Sequence, residues 1–284
     1  MSIKNDFEQV EKLYHFTSFD TALKILDSNR LKFGKLTNMN DIHENDKVTF
    51  VDTTGNRLTR FPSDILNTLY DEIYRYRQIS LTIDNDETGK TGFDLHQMWG
   101  LYANKGEGVC LVFDKNKLLQ SLNVDIYHQC VDYKDTKELN SFVISNSQDY
   151  KEVSTEIHNN VRDLFFYKRK EWEHEQEYRF IKRCPNSNCE EYLSLGHTLK
   201  FIILSSKLRN QDEVLYFKRI ETLNKKAKEI EKNRNIGDNG KIPILIYGNG
   251  LFDYTLGTDD GEEEIWNSDD GYNILTIGIN CHLF

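Results

Sequence analysis

Two carboxylates and a guanidinium stand close together in Glu175-Gln176-Glu177-Tyr178-Arg179. Read as an extended strand running to Ile181, a period of two puts Glu175, Glu177 and Arg179 on one face. Tyr178 and Phe180 then point the other way, toward a core. Such a polar set is costly to bury without a purpose: the carboxylates repel, share a proton or hold a polar ligand. Glu177 can orient a sugar hydroxyl and stabilise the positive charge that builds during glycosidic cleavage. Arg179 can keep one carboxylate ionised or bind a phosphate. The plainer alternative is an ion-pair ladder on a solvated strand.

Other residues offer chemistry at a distance in the sequence. His15, between aromatics in Tyr14-His15-Phe16-Thr17-Ser18, is a neutral imidazole able to bind a ligand hydroxyl, or a half-buried histidine bonded to backbone. Ser80 and Thr82 share one face of a short strand, where two hydroxyls can hold a ribose or meet solvent. Met98-Trp99-Gly100-Leu101-Tyr102-Ala103 is an aromatic stripe at helical spacing, usually core, although Tyr102 can stack on a planar ligand. Asp41, His43 and Glu44 can bind a metal, but the neighbouring Asn38 and Asn40 favour a plain turn network. Cys184 and Cys189 are the only close pair among five cysteines. A zinc site there would need two more ligands, with His174 and His197 as candidates. No second pair has a familiar spacing, so the expectation is a polar turn with two reduced thiols and no metal.

The elements that must position these residues alternate irregularly. Short strands are expected at His15, at Leu31–Gly34, at Ile79–Ile83 and at Val109–Phe113. Ser18 or Asp20 can cap a helix carrying Ala22, Leu23, Ile25 and Leu26, which Asn29 suits as an end. Helices are expected from Ser63 to Gln78, His96 to Ala103, Ser147 to Lys170 and Asp212 to Arg234. Further strands follow at Tyr127–Tyr133, Leu199–Leu204, Ile242–Tyr247 and Ile274–Ile279. Asn235 to Gly240 reads as a turn and Asp259 to Glu264 as an acidic loop. This pattern predicts an α+β fold with mixed or antiparallel central sheets and flanking helices. No repeat and no linker suggests a boundary, so residues 1–284 read as one domain, with a core at about 13–204 and an extension at about 205–284. There is no G-x-G-x-x-G and no P-loop, which argues against a Rossmann or phosphate-loop enzyme.

Composition limits the partners. Of 284 residues, 36 are basic and 46 acidic, for a net charge of -10, which disfavours broad nucleic-acid binding. The 15 tyrosines and 16 phenylalanines supply a sizeable core. No apolar run is long enough to span a bilayer and no signal-peptide pattern opens the chain, so a cytoplasmic location is expected. Oligomeric state is not legible.

Taken in order, these segments resemble the domain-of-unknown-function family 2971. The blocks are Tyr14 to Ser18, Asn40 to Glu44, Ile79-Ser80, Met98 to Ala103, Gly108 to Leu111, and Lys168 with Trp172 to Arg179. The resemblance runs from about Tyr14 to Ile203. The Gly106-Glu107-Gly108 turn departs from the His-Lys-Gly often found in the family. The opening block also looks like the first strand of ADP-ribosyltransferase-like folds, some of which modify DNA. That resemblance implies NAD as substrate, with His15 holding the nicotinamide ribose, Tyr102 or Ser80 near the nicotinamide, and Glu177 on the ribose hydroxyl. Thr17 and Arg179 would join the binding set, and Glu175 would select the acceptor. Three functions follow as expectations: an NAD-dependent ADP-ribosyltransferase or NAD glycohydrolase; a non-catalytic nucleotide- or protein-binding module, as in phage defence or stress response; and a metal-dependent phosphoesterase using Asp41, His43, Glu44, Glu175 and Glu177.

Overall fold

The computed structural model describes residues 7–36, 49–51, 63–135, 141–143, 150–233, 242–248, 265–267 and 273–277. The Asn40–Glu44 block, the 235–240 turn and the acidic 259–264 loop lie outside the described residues. The chain divides into two compact units. One comprises Met1–Arg30, Thr82–Ser121 and Ser194–Phe284, the other Leu31–Leu81 and Leu122–Leu193. Strands and helices are mixed without regular alternation, as expected of an α+β protein. No described helix is long and apolar enough to cross a membrane.

In the first unit the strand Lys12–Thr17 pairs antiparallel with Val109–Asp114, setting His15 opposite Leu111. Leu199–Ser205 pairs antiparallel with Val109–Asp114 and parallel with Ile244–Gly248, so the sheet is mixed. The region after residue 204 thus adds three strands to this sheet, Ile244–Gly248, Ile265–Asn267 and Asn273–Ile277, together with the helix Glu213–Lys232 capped by the Asp212 side chain. One sheet face is filled by Tyr14, Phe16, Cys110, Val112, Phe201 and Ile203, packed with Phe93, Met98 and Trp99. The helix Phe19–Ser28 starts where Ser18 accepts from the Thr21 amide and ends at Asn29, left-handed at φ 51°. Gly108 is dictated by crowding: a Cβ there would stand 2.2 Å from the Thr17 carbonyl oxygen.

In the second unit the strand Tyr76–Ile83, whose last two residues belong to the first unit, lies beside Glu177–Arg183. Glu177–Arg183 pairs antiparallel with Ile126–Cys130, placing Arg179 opposite Gln129. A buried cluster including Tyr76, Val153, Ile157, Leu164, Phe165 and Ile181 anchors this unit. Two helical expectations fail here. Ser63–Ile73 stops before Tyr76, because Tyr76 to Leu81 already run as a strand. The long helix expected to reach Lys170 breaks into Tyr150–Asn159 and Val161–Phe165. Tyr167–Arg169 instead extends and pairs parallel with Asp132–Lys134. The hydrogen-bond ladder and the burial of Tyr167 and Lys168 outweigh the helix propensity of a Lys/Arg/Glu run.

A buried ionic cluster as candidate functional site

Glu175 does not begin a strand. Lys170–Glu175 is a 3-10 turn, and Gln176 is left-handed at φ 46° and ψ 54°. The strand starts at Glu177. Glu177 and Arg179 do share a face, as their spacing predicts, and Glu175 joins them because the left-handed step at Gln176 redirects the chain. The residue that bridges the two carboxylates, Lys168, was not picked out as a site residue. Lys168 Nζ is paired with Glu175 Oε2 and lies 3.6 Å from Glu177 Oε2. It also sits 4.5 Å from the centroid of the Trp172 ring. An ammonium therefore occupies the space between the two carboxylates, the place a metal would take in a phosphoesterase.

Arg179 completes the cluster. Its Nε donates to Glu177 Oε1 and its Nη2 to Glu177 Oε2 at 2.9 Å, a bidentate pair that fixes the plane of the carboxylate. Its Nη1 donates to the Phe165 carbonyl at 2.6 Å. Lys168, Glu175, Glu177 and Arg179 are exposed by 5, 3, 4 and 1%. Two carboxylates and two cations sum to zero, which makes burial of all four tolerable.

Polar neighbours carry the cluster outward. Gln78 Nε2 donates to Glu177 Oε1 at 3.2 Å and to Ser80 Oγ at 2.7 Å. Ser80 is exposed, and its hydroxyl also bonds the Glu177 carboxylate. The Glu177 amide donates to the Tyr133 hydroxyl at 2.8 Å. Burial by itself pushes the Glu177 carboxyl up. Arg179, then Lys168 and the Ser80 hydroxyl, outweigh it and hold the group at about 2 against an ordinary 4.5. Burial, with Glu177 beside it, raises the Tyr133 phenol.

The first unit holds the remaining residues. His15 is half-buried, and burial lowers its imidazole from 6.5 to about 4, so the ring is neutral near pH 7. Thr17 is buried on the same strand. Tyr102 ends the helix His96–Leu101, its amide donating to the Met98 carbonyl at 2.9 Å, and its ring packs on the Met98–Trp99 core. Thr82 is buried, unlike its neighbour Ser80.

The first half of the strand Glu177–Arg183, the Lys168 contact and most of the helix His96–Leu101 fall within one stretch of sequence. Residues 98–180 match the family described as "Protein of unknown function (DUF2971)". The DUF2971 match opens at the Met98-Trp99 helix and closes on the ionic strand, so it contains Lys168, Glu175, Glu177 and Arg179. His15, Thr17 and Ser80 precede it. No curated protein matches the chain. Gln78, Tyr133 and Lys168 were missed as site residues for different reasons. Lys168 stands in the Lys-x-x-x-Trp part of the family pattern and so carried a signal. Gln78 and Tyr133 carried none, because only the pairing of strands brings them to Glu177.

Proposed function

We propose that the chain is an NAD-dependent ADP-ribosyltransferase or NAD glycohydrolase, of ADP-ribosyltransferase-like fold, acting through Glu177. The observation that carries this reading is a carboxylate kept ionised while buried, its plane set by Arg179, and linked through a hydrogen bond to an exposed hydroxyl at Ser80. In the reaction the N-glycosidic bond breaks with its electron pair going to the nicotinamide nitrogen. The ring thereby loses its positive charge and the ribose becomes oxocarbenium-like. A fixed anion stabilises that developing charge without having to reorganise. Water, or the hydroxyl, amide or base of an acceptor, then adds to the ribose carbon and gives up a proton. Ser80 would meet the ribose or the nicotinamide at the surface, and Glu175 would face the acceptor.

Nicotinamide release from NAD by the purified chain tests this. Glu177→Gln is expected to cut the rate by about 10²–10³, the loss typical of removing one preorganised electrostatic group. Ser80→Ala, at an exposed position, serves as a variant that keeps the fold. Equal rates in wild type and Glu177→Gln, or no NAD binding, overturn the reading.

One observation favours a second reading, a non-catalytic binding module. Both Glu177 oxygens already accept from Arg179, and Oε1 accepts from Gln78 as well. A carboxylate so committed braces the strand and leaves ligand binding to other groups, with no turnover. Binding of a nucleotide without release of nicotinamide, unchanged in Glu177→Gln, would select this reading.

A further inference from the structure

The loop leaving the strand Glu177–Arg183 gathers two sulfurs and a carboxylate. Cys184 and Cys189 are joined in a disulfide, where two reduced thiols were expected, and their Cα atoms are 6.2 Å apart, a separation that permits the bond. One ligand atom each from Cys184, Cys189 and Glu191 lies within 4.8 Å of the others. We infer that this loop is a redox-gated metal site: closed as the disulfide and, once reduced, a Cys184/Cys189/Glu191 set for one divalent cation of the zinc class.

Three features support it. The donors are two thiolates and a carboxylate, all zinc ligands, and three protein ligands leave the fourth tetrahedral position to water. Zinc–sulfur bonds of about 2.3 Å require the two sulfurs to stand about 3.8 Å apart. That needs one side chain to turn. Cys189 is half-buried and can do so, whereas Cys184 is fully buried and stays.

The backbone bearing these ligands is also held by bonds that do not involve sulfur–sulfur linkage. The Cys184 amide donates to the Arg75 carbonyl at 2.8 Å, and the Phe33 amide to the Glu191 carbonyl at 2.9 Å. The Asn188 amide donates to Asn186 Oδ1 at 2.9 Å. The buried Arg77 guanidinium donates to the Ser187 carbonyl. The backbone carrying the ligands therefore keeps its place when the disulfide opens, and only the Cys189 side chain has to turn.

Finally, Glu191 can be recruited without stranding a charge. Its partner Lys182, at 2.9 Å, is also 3.4 Å from Asp125 and keeps that carboxylate if a metal takes Glu191.

The redox step balances with a small thiol or dithiol as reductant. The Cys184–Cys189 bond breaks, the two reductant sulfurs become joined, and two protons move from the reductant to the cysteine sulfurs. Metal binding then displaces those two protons.

The test is a zinc titration of the full chain, oxidised and after dithiol reduction with the reductant removed, followed by cobalt substitution. The reduced chain is expected to take one equivalent, the oxidised chain none, and cobalt to give thiolate-to-metal charge transfer with tetrahedral bands. Cys189→Ser should abolish the charge-transfer signature, and Glu191→Gln should weaken binding by at least about tenfold. Cys130→Ser, at an exposed free cysteine, should change neither. Equal zinc uptake by oxidised and reduced wild type overturns the inference without any variant. Cobalt absorption that survives Cys189→Ser overturns it as well.

Discussion

Two strands of this protein each bury a titratable group, and they settle its charge in opposite ways. In the first unit His15 has burial acting on its ring and becomes neutral, its pKa lowered to about 4. In the second unit Glu177 is more deeply buried but is held ionised by Arg179 and Lys168, at about 2. Desolvation always disfavours the charged form, and only a charge partner in the same dry space reverses it. The two outcomes suit different work. A neutral imidazole accepts and donates hydrogen bonds, whereas a fixed carboxylate opposes developing positive charge.

The comparison breaks most readily at Arg179. Arg179→Met leaves Glu177 with half its cationic support and should cost about 3–5 kcal/mol in denaturant unfolding, as expected when one partner of a buried pair is removed. A loss near zero would mean that the cluster does not hold the charge. Combining Arg179→Met with Glu177→Gln should return part of that loss, which a double-mutant cycle measures.

Acid sharpens the contrast. The folded pKa of Glu177 lies below its unfolded value, so its contribution is complete above pH 4.5 and is lost as pH falls toward 2. The amount is about 3 kcal/mol, and it should vanish from the pH profile of Glu177→Gln. His15 acts over a different window. A base with a depressed folded pKa favours the fold fully above pH 6.5 and loses that advantage as pH falls from 6.5 toward 4. The loss should be about 2 kcal/mol, given partial exposure, and His15→Gln should flatten that part of a thermal-melt series. The smallest effect is Ser80→Ala, expected within about 0.5 kcal/mol of wild-type stability because the side chain is exposed.

Much of the framework could be read from the residues. The Ser18 cap, the left-handed end at Asn29 and the helix capped by Asp212 follow from local side-chain chemistry. The shared face of Glu177 and Arg179 follows from strand periodicity. Lys168 did not, because a run of lysine, arginine and glutamate favours a helix, and only its parallel partner Asp132–Lys134 makes it a strand. Glu175 was placed on the strand because nothing local marks Gln176 as left-handed, a conformation that asparagine or glycine usually announces. The Cys184–Cys189 bond was missed because an odd, scattered set of cysteines carries no pairing pattern.

A residue-resolved NMR titration of the Glu177 carboxyl and the His15 ring tests the opposed charge states most directly. Cation pairing predicts Glu177 charged down to about pH 2, and burial predicts His15 neutral until about pH 4. A Glu177 midpoint at or above 4.5, or a His15 midpoint near 6.5, would contradict it.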